Sequence, residues 1–378
     1  MNRLTTYIFI VYYNSNNRKD LSRLVLPRHL YYPLLAALLS LLISLPAHSE
    51  TSITGYASIV AGKVIDGDAF LADYPKTGIY DQDISFSPDT SFGIQFSNEI
   101  NDEAALTIQL TMNGASEYKP DINWAYLNYR VNSELSVQLG RKLLPLYYYS
   151  DFFDVGFAYY WIRPPVDNYT WQITNYNGIN LLYETNLQDW DISVNVYTGR
   201  EDSEDNELLG FFNNSETSET WKNMLGLVTE ASLPWAELRI SILKSQLDRI
   251  INDISVISDT DQIFKGVSLN FYPGNFTILS EYNHYRRDDN NIDVVTHMIS
   301  LGYTYKEYTP HITHSSFKQD INSNGGDENH ATTSYGLRWY LNSKTALKAQ
   351  YDIVDDKGLI IPTLGDSKSV SFGIDVIF

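Results

Sequence analysis

SVSFGIDVIF, residues 369–378, decides how the rest of the chain is read. Val370, Phe372, Ile374, Val376 and Phe378 form one apolar row. Ser369, Ser371, Gly373 and Asp375 form the other, and Ile377 breaks it. Successive side chains on a strand point to opposite faces, so this segment has one greasy and one wet face. A half-buried sheet in water shows the same alternation. The pattern gains meaning from its position as the last of many such segments, in a chain that opens with an export-type signal.

Working back from that strand, sixteen alternating segments can be laid out: 51–63, 90–100, 102–114, 120–131, 133–142, 177–187, 188–199, 221–233, 234–246, 262–273, 274–286, 294–306, 308–318, 331–341, 344–354 and 367–378. Leu106, Ile108, Leu110 and Met112 alternate with Thr107, Gln109, Thr111 and Asn113; Ile192, Val194 and Val196 alternate with Ser193, Asn195 and Tyr197. Very short links fall near Asn101, Asn132, Gln188, Pro234, Gly274, Glu307 and Asn342. Long polar links fall at 64–89, 143–176, 200–220, 247–261, 287–293, 319–330 and 355–366, with a shorter one at 115–119. This strict alternation of short and long is the asymmetry of a transmembrane barrel with tight periplasmic turns and long outer loops. The expected fold is therefore all-β: a closed antiparallel barrel of sixteen strands with both termini on the periplasmic side. Closure is obligatory, because an unpaired backbone N–H or C=O in hydrocarbon costs several kcal/mol. A barrel of that girth is too wide for its own side chains to fill and encloses water. Trp190, Trp235, Trp339 and Phe378 lie beside the short turns or the terminus, where an interfacial aromatic girdle belongs.

Composition narrows the function. There are no cysteines, so disulfides, thiolate nucleophiles and Cys-based zinc sites are excluded. No apolar run reaches the ~20 residues of a membrane helix. The longest, Leu34 to Leu45, ends at Pro46, follows Arg28 and His29, and precedes the small-x-small triplet Ala47-His48-Ser49. Residues 1–49 are therefore expected to be a signal peptide and 50–378 the barrel; an upstream mis-assigned start is one explanation for the long segment 1–27. Removal of 1–49 takes away five basic residues (Arg3, Arg18, Lys19, Arg23, Arg28) and one acid (Asp20), moving the net charge from −19 to −23. Nucleic-acid binders present basic surfaces, so none is expected as a partner.

The terminal Phe378 strand, and Gly140-Arg141 leading into a long connection, resemble the Gram-negative general porins, trimeric sixteen-stranded outer-membrane barrels. The resemblance implies a passive diffusion channel for small hydrophilic solutes and ions, with no cofactor or bound metal and no enzymatic activity. It also implies a homotrimer, contact with membrane lipid and lipopolysaccharide, and recognition of Phe378 by the barrel-assembly machinery. In such porins the third outer loop folds into the barrel and sets its bore. Here that loop is 143–176, rich in aromatics from Tyr147 to Trp161. Loops longer than ~12–15 residues are usually functional or disordered, and this composition argues against disorder. By the same resemblance, acids on the loop face bases on the wall. Asp151, Asp154 and Asp167 are the loop acids, and Arg163 is a base within the loop. Arg130, Arg141, Lys142, Arg239 and Arg338, with Lys348, are the wall or loop-base cations. A transverse field between them orients solutes. An alternative pairs Arg163 with Asp167 merely to pin the loop.

Other signals carry less. Glu201, Asp202, Glu204, Asp205 and Glu207 could bind a divalent ion or form a solvated loop. His311 and His314 fall on opposite strand faces, and Gly325-Gly326-Asp327 reads as a turn. Rival functions are a sugar-type selective channel using the loop aromatics, or a barrel enzyme or adhesin.

Overall fold

The structure, a computed structural model, describes residues 51–321, 328–358 and 364–378. The export-type segment, its cleavage point and the Gly325–Asp327 turn lie outside the described residues. Strand β1 is Thr51–Asp66, and a small hairpin, β2 Phe70–Asp73 with β3 Gly78–Tyr80, follows in the first long loop. The remaining barrel strands are β4 Ser91–Glu99, β5 Ala104–Asn113, β6 Pro120–Arg130, β7 Leu135–Leu143, β8 Asn175–Leu187, β9 Trp190–Ser203, β10 Thr217–Leu233, β11 Ala236–Ile251, β12 Ile254–Phe271, β13 Phe276–Arg287, β14 Ile292–Tyr303, β15 Tyr308–Asp320, β16 Glu328–Asn342, β17 Thr345–Asp356 and β18 Ser367–Ile377. Each pairs antiparallel with its sequence neighbour, and β1 pairs with both β4 and β18, so sixteen strands close into a barrel.

The seam is made by the quoted terminal segment. Ile59 faces Ile374 and Ser58 faces Asp375, so apolar meets apolar outside and polar meets polar within. Phe378 continues the ladder, with its N–H donating to the Gly55 carbonyl at 3.0 Å and its own carbonyl accepting from the Gly55 N–H at 3.0 Å. The Phe378 ring lies over Gly55, where a Cβ would come within 2.4 Å of Cζ. Only glycine leaves room for that ring.

The outer face is apolar and exposed: Leu139 is 55% exposed, Ile299 56% and Phe372 63%. A soluble monomer rarely exposes contiguous apolar patches beyond a few hundred Å², so this band reads as lipid-facing. Among the described residues no helix is long and apolar enough to cross a membrane. Trp190, Trp235, Trp339 and Phe378 are all exposed at the short-turn end. Trp235 stacks on Phe271, and Trp339 on Tyr308.

All sixteen segments read from the sequence are strands, but several connections expected as loops hold more structure, three of them markedly. β11 and β12 run past 247 and 261 to a two-residue turn at Asn252-Asp253, both with positive φ (47° and 64°). That is the backbone a tight hairpin of right-twisted strands requires. The fourth long loop shortens to 204–216 and carries helix α1, Glu207–Asn213, whose N-cap Asn206 accepts from the Leu209 N–H. The first holds the β2–β3 hairpin.

Candidate functional site: the loop across the bore

The third long loop, 144–174, lies inside the barrel. Its apolar residues meet an apolar inner wall: Leu144, Leu146, Tyr147, Tyr149, Tyr159, Tyr160, Trp161, Tyr169 and Trp171 form one buried cluster with Trp221, Met224, Val228, Leu243, Leu247, Phe264, Leu279 and Met298. The wall members come from β10 to β14, on the inward parity where polar residues were expected. The inward faces of these strands are therefore mixed, apolar where the loop packs and polar at Arg239, Ser241, Ser245, Glu281 and Thr296. The sixteen-stranded barrel is thus partly filled by its own chain, and its girth leaves room for that.

Polar contacts fasten the loop around most of the circumference. Near its start, Arg239 donates to the Pro145 carbonyl (2.9 Å) and Ser241 to the Leu146 carbonyl (2.6 Å). In its middle, Arg338 donates to the carbonyls of Tyr159 (2.9 Å) and Phe157 (2.7 Å), and Lys348 to that of Gly156 (2.6 Å). Trp161 Nε1 donates to Thr313 Oγ1 at 2.7 Å, and the Ile162 N–H to Gln350 Oε1 at 2.9 Å. Gly156 approaches β1 and β18 so closely that a Cβ there would lie 2.4 Å from Ser58 Oγ and Asp375 Oδ1.

The charged residues singled out in the sequence distribute as follows. Arg163 is buried and sits between Asp89 of the first loop and Asp352 of β17, bonding the latter at 3.2 Å, with its guanidinium over the Phe70 ring (4.9 Å). Burial opposes its charge, but Asp89 and Asp352 outweigh that and raise its pKa above the ordinary arginine value. Asp167 does not pair with Arg163: it accepts from Ser315 Oγ and meets His330 Nδ1. Both residues pin the loop, each through other partners than the expected pair. Asp154 bonds Lys76 Nζ (2.9 Å) and Asn123 Nδ2 (3.0 Å), tying the third loop to the first.

The wall cations divide. Arg239 and Arg338 point inward as expected, but their guanidinium groups are occupied by loop carbonyls, and Arg239 also meets Glu230 at 2.9 Å. Arg130 sits at the short-turn end, donating to the Asp102 carbonyl at 3.1 Å. Arg141 shares the parity of lipid-facing Leu139 and pairs with Glu201 at 2.6 Å, so it is not across from the loop acids. Lys142 does point inward, over the Tyr126 ring at 5.0 Å. Asp151 has no hydrogen-bond or ion-pair partner among the described residues, and its charge acts on Lys142 and Tyr126. At this level Tyr126, Asn128, Lys142 and Asn195 on β6, β7 and β9 are half-buried, although Asn123, Gln138 and Tyr197 on the same strands are buried; Thr296, Thr313, Thr332, Asp352 and Ser369 on β14–β18 are covered.

Of the acidic group in the fourth loop, Glu201 serves Arg141, Asp202 accepts from Thr220, and Glu207 accepts from Ser116. His311 is inward, stacked on Tyr160, while His314 faces out against Thr333. Sequence reasoning missed Lys76, Asp89, Glu281, His330 and Asp352. Inward parity is legible for the three on strands, Glu281, His330 and Asp352, but their partners are not, and Lys76 and Asp89 lie in the first loop, which has no parity.

No protein-family model matches the sequence, and no curated protein sequence matches it. Solved structures do. OmpF of Salmonella typhi, in a complex with daunomycin, aligns with TM-score 0.60 at 13% identity over 87% of this chain and 97% of its own. The outer-membrane channel DcaP of Acinetobacter baumannii aligns with TM-score 0.59 at 12% identity, covering 88% and 98%. OmpT of Vibrio cholerae in its trimer form aligns with TM-score 0.57 at 12% identity, covering 87% and 99%. At such identity the likeness is one of fold: the chain has the closed sixteen-stranded barrel of the Gram-negative outer-membrane porins.

Proposed function

We propose that the protein is an outer-membrane channel for passive diffusion of small hydrophilic solutes and ions, exported by a cleaved signal peptide and assembled as a homotrimer. The carrying observation is the third loop: it lies within the barrel, fixed to β11 and β13–β18, and leaves Tyr126, Asn128, Lys142 and Asn195 on β6, β7 and β9 half-exposed. The constriction lies between that wall and the loop edge bearing Asp151, with Asp151 and Lys142, the latter donating to Gln138 Oε1, as its nearest charges outside ion pairs. Arg239, Arg338 and Arg163 act as fasteners of the loop. Electrostatic bias on solutes then comes from few groups, focused by low-dielectric surroundings. Covalent chemistry has no part in this reading.

The test is single-channel recording in a planar bilayer. Replacing 147–161 by a shorter Gly–Ser linker should raise conductance severalfold. Equal conductance before and after would place the loop outside the conducting path and overturn the assignment.

A further inference from the structure

Between the underside of the loop and strands β12–β16 lies a cavity of about 400 Å³, within the size range of small-molecule sites. Tyr148, Tyr159, Tyr160, Tyr272 and Tyr340 surround it with Arg338. Tyr272 and Tyr340 adjoin the short turns, so the cavity is approached from the periplasmic side of the loop.

Its chemistry is selective. Several rings are held before any ligand arrives: Tyr148 and Tyr272 both donate to Glu237 (2.6 and 3.4 Å), and Tyr160 donates to Ser300 (2.8 Å). Rigid aromatic faces reduce the ordering cost of binding. Arg338 makes no ion pair, but it offers a ligand little: it is buried, loop carbonyls accept from both terminal nitrogens, its guanidinium lies 4.0 Å over the Tyr340 ring, and its partnerless Nε is itself buried. No carboxylate lines the space. The remaining polar groups are hydroxyls on Thr277, Thr304 and Thr309, the last two bonded to each other at 3.1 Å.

We infer that this cavity binds an uncharged, polyhydroxylated ring, a mono- or disaccharide, stacked on tyrosine and hydrogen-bonded by the threonines. The inference rests on the channel reading and adds a solute class and a side to it. A cation finds no carboxylate there, an anion meets only a buried Arg338 whose terminal nitrogens are engaged, and a purely apolar solute gains nothing from the threonine hydroxyls.

The test pairs two readouts on the full protein. Intrinsic fluorescence, reported by Trp161 against Tyr160 (4.7 Å between ring centroids), is titrated with glucose and sucrose in detergent, with gluconate and benzyl alcohol as controls. Current through single channels is recorded with sucrose added to one side at a time. Saturable fluorescence change and block from the periplasmic side, each weakened about tenfold in Tyr340→Ala and reduced in the gentler Thr304→Val, support the site. A conducting channel with no saturable response to either sugar overturns the inference and leaves the channel standing. Sugar binding without conductance overturns the channel reading and leaves the site. A response to benzyl alcohol alone assigns the cavity to aromatic ligands and overturns the saccharide class.

Discussion

Arg163 is the point at which the loop is most exposed to a single substitution. It is buried between Asp89 and Asp352, with Phe70 and Tyr80 against its guanidinium. Arg163→Met keeps much of the volume and removes the charge, leaving two carboxylates facing each other out of water. Removing one partner from a buried ion pair typically costs about 3–5 kcal/mol. Asp352 keeps two neutral donors, Ser334 Oγ at 2.6 Å and Gln350 Nε2 at 2.8 Å, which places the cost toward the lower end. About 3 kcal/mol corresponds to roughly a hundredfold shift in the docked-to-released ratio of the loop. Single-channel recording of the mutant should show excess open-channel noise and excursions to higher conductance. The triple variant Arg163→Met, Asp89→Asn, Asp352→Asn removes the stranded charges and should restore part of the quiet behaviour, since most of the cost of breaking a buried ion pair is the charge left uncompensated. Wild-type noise and conductance in Arg163→Met alone would refute the claim that this group holds the loop.

Three further outcomes follow from individual residues. Asp151→Asn should move the reversal potential in a salt gradient away from cation preference, because Asp151 is an unpartnered loop acid beside Lys142; an unmoved potential would remove it from the constriction. Burial pushes the Asp73 carboxyl up to about 6 although Lys76 pulls it down, so the folded hairpin binds that proton more tightly than the unfolded chain does. Docking of the β2–β3 hairpin should therefore weaken as pH rises through about 6 and strengthen below it toward the ordinary carboxylate value near 4. Proteolysis at Lys76 should be faster at neutral pH than at pH about 5, and this difference should vanish in Asp73→Asn if Asp73 is its source. Phe378→Ser removes the ring seated over Gly55 and should lower the yield of heat-modifiable, folded barrel without reducing secretion; a normal yield would mean the closing strand does not depend on that ring.

What could be read in advance and what could not divide along a physical line. Lipid imposes period two on every spanning strand, so Ile192, Val194 and Val196, or Phe372, Ile374 and Val376, announced their faces without any partner being known. Above the membrane that constraint lapses. Asp248, Asp259 and Asp261 sit on the continued β11 and β12, where outward residues meet water, and these acids with Asn252-Asp253 make a hairpin look like a loop although Ile250, Ile254 and Val256 stand exposed on it. The inner wall carries a signal of its own. Leu243 and Leu247, Val228, Phe264, Leu279 and Met298 stand on the wet parity, and a row of apolar side chains facing a bore implies something apolar inside it. The aromatic loop was the one stretch with the composition to answer them. The fastening of that loop was hidden for a different reason. Beside the ion pairs Arg239–Glu230 and Lys348–Asp375, the cations Arg239, Arg338 and Lys348 donate to the carbonyls of Pro145, Phe157, Tyr159 and Gly156, and a carbonyl has no residue identity to be read. Opposite charges in a sequence suggest ion pairs, and so Arg163 was matched with Asp167 and the wall cations with Asp151 and Asp154. A cation facing a loop that has left its own secondary structure meets unpaired backbone oxygens first, and those must be satisfied whatever side chains flank them. The same logic makes the few charges left over, Asp151 and Lys142, the ones on which ion selectivity should turn.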